Sequence, residues 1–214
     1  MVNCSSALGV SHDEEAIILA FRWTVGWGEV YEQSDYNKTV PFPGGGTVLS
    51  FYYNVFASVW YGGIRDAFFS VRNSYPTYEV WVTGWSLGAA TATMGAAYLS
   101  QMGYVQPNNI KLMNFGSPRL GHPDFANRFP SLVPYAYRVV HNRDHVPHAP
   151  TPADGYQHIK NEVWYPNAMR DGDPYIECDT GESLNCSAQI QPSQYIPGNH
   201  ATYFNITGYC QRSP

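Results

Sequence analysis

Between Glu79 and Met102 the chain runs from a β-rich segment, Glu79 to Thr83, through Gly84-Trp85-Ser86-Leu87-Gly88 into a segment of mostly small residues that stops at Gly103. A G-x-S-x-G set between a strand and a helix constrains the fold more than any other stretch of this sequence. It predicts a sharp turn with Ser at its apex, where glycines two residues to either side let the backbone approach without Cβ clashes. The bare pattern arises by chance in about one such chain in eight, given this chain's Gly and Ser usage, so the strand-to-helix context carries the argument. The helix N-terminus places unpaired N–H groups near the Ser hydroxyl. Ala89, Ala90, Thr91 and Ala92 are small enough to let that helix pack close against a sheet.

The rest of the pattern supplies the sheet. Ala7 to Val10 and Ala16 to Trp23 read as two strands joined by the polar turn Ser11 to Glu15. Tyr52, Val55, Phe56, Val59, Trp60, Ile64, Phe68 and Val71 recur at helical spacing, which predicts an amphipathic helix to about Asn73, bent at Gly62 and Gly63. Ile110 to Phe115, Tyr135 to His141 and Ile159 to Tyr165 are the next strands. Val25 to Pro43, punctuated by Gly and Pro and without a clean period, reads as a long surface loop. Strands alternating with helices imply an α/β fold, a mainly parallel sheet covered by helices on both faces. No repeat or linker divides the sequence, so residues 1–214 are expected to form one domain.

The chain is 44% hydrophobic and 14% charged, which excludes disorder and coiled coil. Its longest apolar stretch, Ala16 to Phe21, falls far short of the roughly 20 residues of a spanning helix, so no transmembrane segment is expected. Twelve Lys and Arg against 17 Asp and Glu give a net charge of −5 with no basic run, which argues against a nucleic-acid partner. Cys4, Cys178, Cys186 and Cys210 lack metal-ligand spacing and read as disulfide cysteines rather than a zinc site. Sequons at Asn3, Asn37, Asn185 and Asn205 are glycosylation candidates, and together with the cysteines they favour an oxidising, secretory environment. Met1 to Val10 show no basic start followed by an apolar run, so no signal peptide is visible.

A hydroxyl is a poor nucleophile until a base takes its proton, so Ser86 needs a His that is itself oriented by a carboxylate. In this architecture the order is Ser, acid, His. Asp144 follows the strand ending at His141 and would face the same sheet edge as Ser86. Asp154, Asp171, Asp173 and Asp179 fall in turn-rich segments and read as turn formers or surface charges. His200, after a Pro-Gly-Asn turn late in the chain, is the expected base. His12 precedes the Ser and is excluded by order, and His145, His148 and His158 lie too close behind the acid and read as structural.

Five ordered pieces carry a resemblance. Ile17-Ile18-Leu19-Ala20-Phe21-Arg22-Trp23-Thr24 resembles a strand ending in F-R-G-[ST], Thr83 to Gly88 resembles T-G-H-S-L-G, and Asn114 to Arg119 resembles F-G-x-P-R. Tyr137 to Asp144 resembles R-V-x-H-x-x-D, and Glu162-Val163-Trp164-Tyr165 an E-V-W-Y strand. Together they identify the chain as similar to the class 3, fungal-type lipases of the α/β-hydrolase fold, with their nematode members and the related feruloyl esterases. The resemblance implies Ser86 as nucleophile, Asp144 as orienting acid and His200 as general base. It further implies an oxyanion hole from Thr24 and the N–H of Leu87, no metal or organic cofactor, and an acyl-ester or lipid substrate. It also implies a disulfide between Cys178 and Cys186, which bracket seven residues, and leaves Cys4 with Cys210 as the remaining pair. The family's upstream region is absent, so the N-terminal part is expected to be incomplete.

Two positions depart from the family pattern: Trp23 stands for its Gly and Trp85 for its His. Val25 to Val40 mixes Trp27, Val30 and Tyr31 with Glu29, Glu32 and Asp35, unlike an amphipathic lid. The expected function is a secreted serine ester hydrolase acting on acylglycerols. The alternatives are a soluble-ester or feruloyl-type esterase and a lipid-binding relative with impaired catalysis.

Overall fold

The structure, a computed structural model, describes residues 5–22 and 35–207. The expectations for Asn3, Cys4, Trp23, Thr24 and Cys210, and for the lid segment up to residue 34, lie outside the described residues.

Ser6–Ser11 (β1) and Ala16–Phe21 (β2) pair as the expected hairpin. Parallel to β2 run Glu79–Trp85 (β5), Ile110–Phe115 (β6), Tyr135–His141 (β7) and Glu162–Tyr165 (β8), with antiparallel Ile176–Cys178 (β9) at the far edge. The order is β1-β2-β5-β6-β7-β8-β9. Val80, Val82 and Gly84 of β5 are buried, whereas the alternate residues Glu79, Trp81, Thr83 and Trp85 are half-buried, as strand alternation requires.

Helix Leu87–Gln101 (α3) lies against β2, β5 and β6. Every residue from Leu87 to Ser100 is buried, because helix Ser50–Val59 (α1) packs on its outer side. A helix enclosed this way is apolar or small on all faces. Its Ala and Gly residues let both neighbours come close. The long amphipathic helix predicted up to Asn73 is broken as expected: α1 passes through a wide turn, Trp60–Ile64, into Arg65–Ser74 (α2), with Gly63 at φ 133°. Trp60, 1% exposed, fills the junction among Phe56, Phe68, Tyr98 and Tyr104.

Several elements differ from the sequence expectation. Within the segment read as a loop to Pro43, Thr39–Pro41 (β3) pairs with Thr47–Leu49 (β4). Strand β8 begins at Glu162 rather than Ile159. Helix Pro123–Leu132 (α4) lies in a stretch that the sequence reading left unassigned. Pro123 occupies the first turn, where its missing N–H costs nothing, and Pro130 falls in the last turn. Phe125, Ala126, Phe129 and Leu132 form its buried stripe.

Three residues of the family motifs serve the frame. Arg119 is 4% exposed and grips Glu182 with two bonds of 2.8 and 2.6 Å. Arg138 sits opposite Glu162 across β7 and β8, bonded at 3.1 Å, and also donates to the carbonyls of Ile159 and Gly181. Charges buried this deeply persist only when paired and hydrogen-bonded. Beside them are His148, whose pKa is pushed down to about 4 by burial and then by Arg119, and His158, held well below the ordinary range by burial and then by Arg138 and Arg119. Both rings are neutral in the fold.

The unfolded chain protonates these imidazoles near the ordinary value of 6.5, and the folded chain resists. Their contribution is therefore fully present above pH 6.5 and is lost as pH falls from 6.5 towards 4. Urea unfolding should show a loss of about 2 kcal/mol from His148 alone on going from about pH 7 to about pH 5. Equal stabilities at the two values would contradict this.

Candidate active site

Strand β5 ends at Trp85, and Ser86 follows with φ 59° and ψ −125°, a conformation costly for a residue with a Cβ. The surroundings impose it. The Ser86 N–H donates to the Phe115 carbonyl at 3.0 Å, and its own carbonyl accepts from Ala89 N–H at 3.0 Å. A Cβ on Gly84 would collide with the Gly88 backbone, and one on Gly88 with the carbonyls of Phe21 and Arg22. Both glycines of the motif are thus required by close approach. Under the turn, buried Asn114 donates to Thr93 Oγ1 at 2.9 Å and ties β6 to α3.

Asp144 is 0% exposed and lies just beyond β7. Its loop is shaped by Asn142 at φ 43°, whose N–H donates to Tyr165 O at 2.7 Å and whose carbonyl accepts from Trp164 Nε1 at 2.9 Å. The Val146 N–H donates to Asp144 Oδ1 at 2.9 Å. His200 comes from the short helix Gly198–Ala201 (α5). That segment is tied to the acid loop by Ile196 N–H on Arg143 O, Arg143 N–H on Asn199 Oδ1, and His141 Nδ1–H on Asn199 O at 2.9 Å. The result is a continuous chain: His200 Nδ1 to Asp144 Oδ2 at 2.8 Å, and His200 Nε2 to Ser86 Oγ at 2.8 Å. These are the distances over which a hydroxyl proton can pass to an imidazole oriented by a carboxylate.

Three neighbours were given no role from sequence. The hydroxyl of Tyr203, in strand Thr202–Tyr203 (β10), donates to Asp144 Oδ2 at 2.6 Å. Burial and then the adjacent carboxylate hold that hydroxyl well above its ordinary pKa, so it stays a donor. Trp85 stacks on His200 with ring centroids 4.9 Å apart. The His145 ring stands 74° from the His200 plane with centroids 5.8 Å apart, and burial lowers its pKa. Nothing in the spacing marks these residues: Tyr203 sits in a short apolar run, and Trp85 occupies the unspecified x of the motif.

Leu87 follows Ser86 at the start of α3, where the first N–H groups of a helix have no intrahelical partner. Its proposed companion Thr24 lies outside the described residues. Cys178 and Cys186 are joined by a disulfide. Asn37, Asn185 and Asn205 are exposed in turns. Asp154 and Asp173 bond local backbone N–H groups as turn formers do. Among the described residues no group of three or more His, Cys, Asp and Glu gathers to hold a metal, and no helix is long and apolar enough to cross a membrane.

The family described as Lipase (class 3) matches residues 18–153. A lipase of Caenorhabditis elegans is 33% identical over 95% of this chain and 65% of its own length. A secreted mono- and diacylglycerol lipase of Fusarium solani is 33% identical over 69% of this chain and 44% of its own. This chain therefore spans less than two thirds of either relative. Among solved structures, lipase II from Rhizopus niveus superposes with a TM-score of 0.83 at 26% identity, covering 94% of this chain and 76% of that one. The match across most of the chain, with an α/β-hydrolase sheet and the serine at its elbow, places this protein in the class 3 lipase family.

Proposed function

We propose that the 214 residues form one catalytic domain, a serine carboxylic-ester hydrolase whose substrates are acylglycerols. One observation carries the reading: Ser86 Oγ, the His200 ring and Asp144 are linked by two hydrogen bonds of 2.8 Å at the tip of a strained strand-to-helix turn. His200 Nε2 takes the Ser86 proton while Oγ attacks the ester carbonyl. Asp144 fixes the ring through Nδ1 and balances the imidazolium charge. His200 then protonates the leaving alcohol as the ester C–O bond breaks, leaving an acyl-serine. Water, deprotonated by the same imidazole, releases the fatty acid.

The developing oxyanion is assigned to the Leu87 N–H at the positive end of α3 and to Thr24. The carbonyls of Phe21 and Arg22 lie against Gly88, so the chain leaves β2 beside the start of that helix, which supports the assignment of Thr24 two residues on. Donors of this kind are worth on the order of 3 kcal/mol each in the transition state. The acylglycerol substrate draws support from the family and from the name of the Fusarium relative. The disulfide fits an oxidising compartment. Secretion and glycosylation at Asn37, Asn185 and Asn205 belong to the same proposal, as do Asn3 and the pairing of Cys4 with Cys210.

Hydrolysis of short- and long-chain acylglycerol esters, soluble and emulsified, tests the reading. Turnover should reach emulsified long chains and fall by at least about a thousandfold in Ser86→Ala. Turnover limited to short soluble esters would make the protein an esterase, and none in folded protein would overturn the proposal. Tyr203→Phe removes one bond to the charged Asp144 and should lower kcat about tenfold with little change in KM. An unchanged kcat would show that Asp144 needs no such support.

A further inference from the structure

We infer that Trp85 is a positioning residue for the reaction proposed above: its indole lies flat against the His200 imidazole, holds the ring in line with Ser86 and favours the positive charge the ring acquires. The inference rests on that reading of the site. The ring centroids are 4.9 Å apart and the planes 25° from parallel, so the imidazole lies over the negative face of the indole π-system. Trp85 itself is held. It is the last residue of β5, registers with Phe115 on β6, and packs with Phe115 on the cluster around Tyr203 and Val139.

The groups around the His200 ring divide the work. Asp144 accepts at Nδ1 and Ser86 lies on Nε2, each at 2.8 Å. The Tyr203 hydroxyl reaches the ring only through Asp144, and His141 is edge-on to Tyr203 at 5.7 Å. The His145 ring stands 74° from the plane of the imidazole, with centroids 5.8 Å apart. Among the described residues Trp85 is the aromatic group that lies nearly parallel to the imidazole. Two bonds at the ring nitrogens leave a ring free to rock about the line that joins them, and a stacked face opposes that motion. Beyond the indole lies an apolar cavity of about 200 Å³ lined by Phe115, Ala201, Tyr203, Phe204 and Ile206. No charged side chain lines it, so on that side the stacked pair meets apolar groups.

A face that favours the imidazolium assists proton transfer from Ser86, and removing it should make the ring lose that charge more readily. The test is kcat and KM for a soluble short-chain ester across the pH range for wild type, Trp85→Leu and Trp85→Phe, with Ser86→Ala as control. In Trp85→Leu the plateau kcat should fall about three- to tenfold, KM should stay within about twofold, and the acid limb of kcat/KM should move down by about half a pH unit. A purely structural loss would lower the plateau and leave the limb in place. NMR titration of the His200 ring in the same variants reads the same downward shift without substrate, so the inference is tested even if no ester is turned over. If Trp85→Leu does not fold, Trp85→Phe, a weaker face, should move limb and titration in the same direction by about half as much. An unmoved limb and an unmoved titration in a folded variant would overturn the inference.

Discussion

The contact between the backbones of Gly84 and Gly88 is the constraint on which the site depends. It folds the end of β5 back onto the first turn of α3 and leaves Ser86 the positive φ that only a crowded turn enforces. That strain is opposed by burial: the helix that begins there is enclosed from Leu87 to Ser100 between the sheet and α1. Small residues along α3 are thus part of the geometry that holds Ser86, since a bulkier helix would stand off the sheet and relax the turn.

Asp144 is carried by the loop after β7 and His200 by the four-residue α5, and segments this short need anchors. Asp144 receives donors from its own loop, from α5 and from β10, so its carboxylate is fixed by three segments. Beneath them, Arg119 and Arg138 hold the chain around Pro147, Pro150 and Ile159. The family motifs therefore combine two kinds of residue. Ser86, Asp144 and His200 lie at the sheet edge, while Arg119, Arg138 and Glu162 lie in the frame that keeps the edge in register.

Much of this was legible in the sequence. The G-x-S-x-G context, the order of Ser, acid and His, and the strands with clear period point to the residues that the structure brings within hydrogen-bond distance. What was not legible has physical reasons. Helix α4 hides behind Pro123 and Pro130, which are tolerated because they fall in its first and last turns. Strands β3 and β4 are three residues each, too short for a period to register. Tyr203 and Trp85 act across the fold on partners 59 and 115 positions away, a relation that exists only after the sheet has assembled.

The loop closed by Cys178 and Cys186 gives the disulfide a significance beyond that of a staple. Glu182, within it, supplies the carboxylate for Arg119, and Gly181 supplies a carbonyl to Arg138. Reduction would free the segment that neutralises one buried guanidinium and helps solvate another. The thiol–disulfide balance of the surroundings is thereby coupled to charge burial, and an oxidising medium is a condition for closing the electrostatic frame beneath the acid loop.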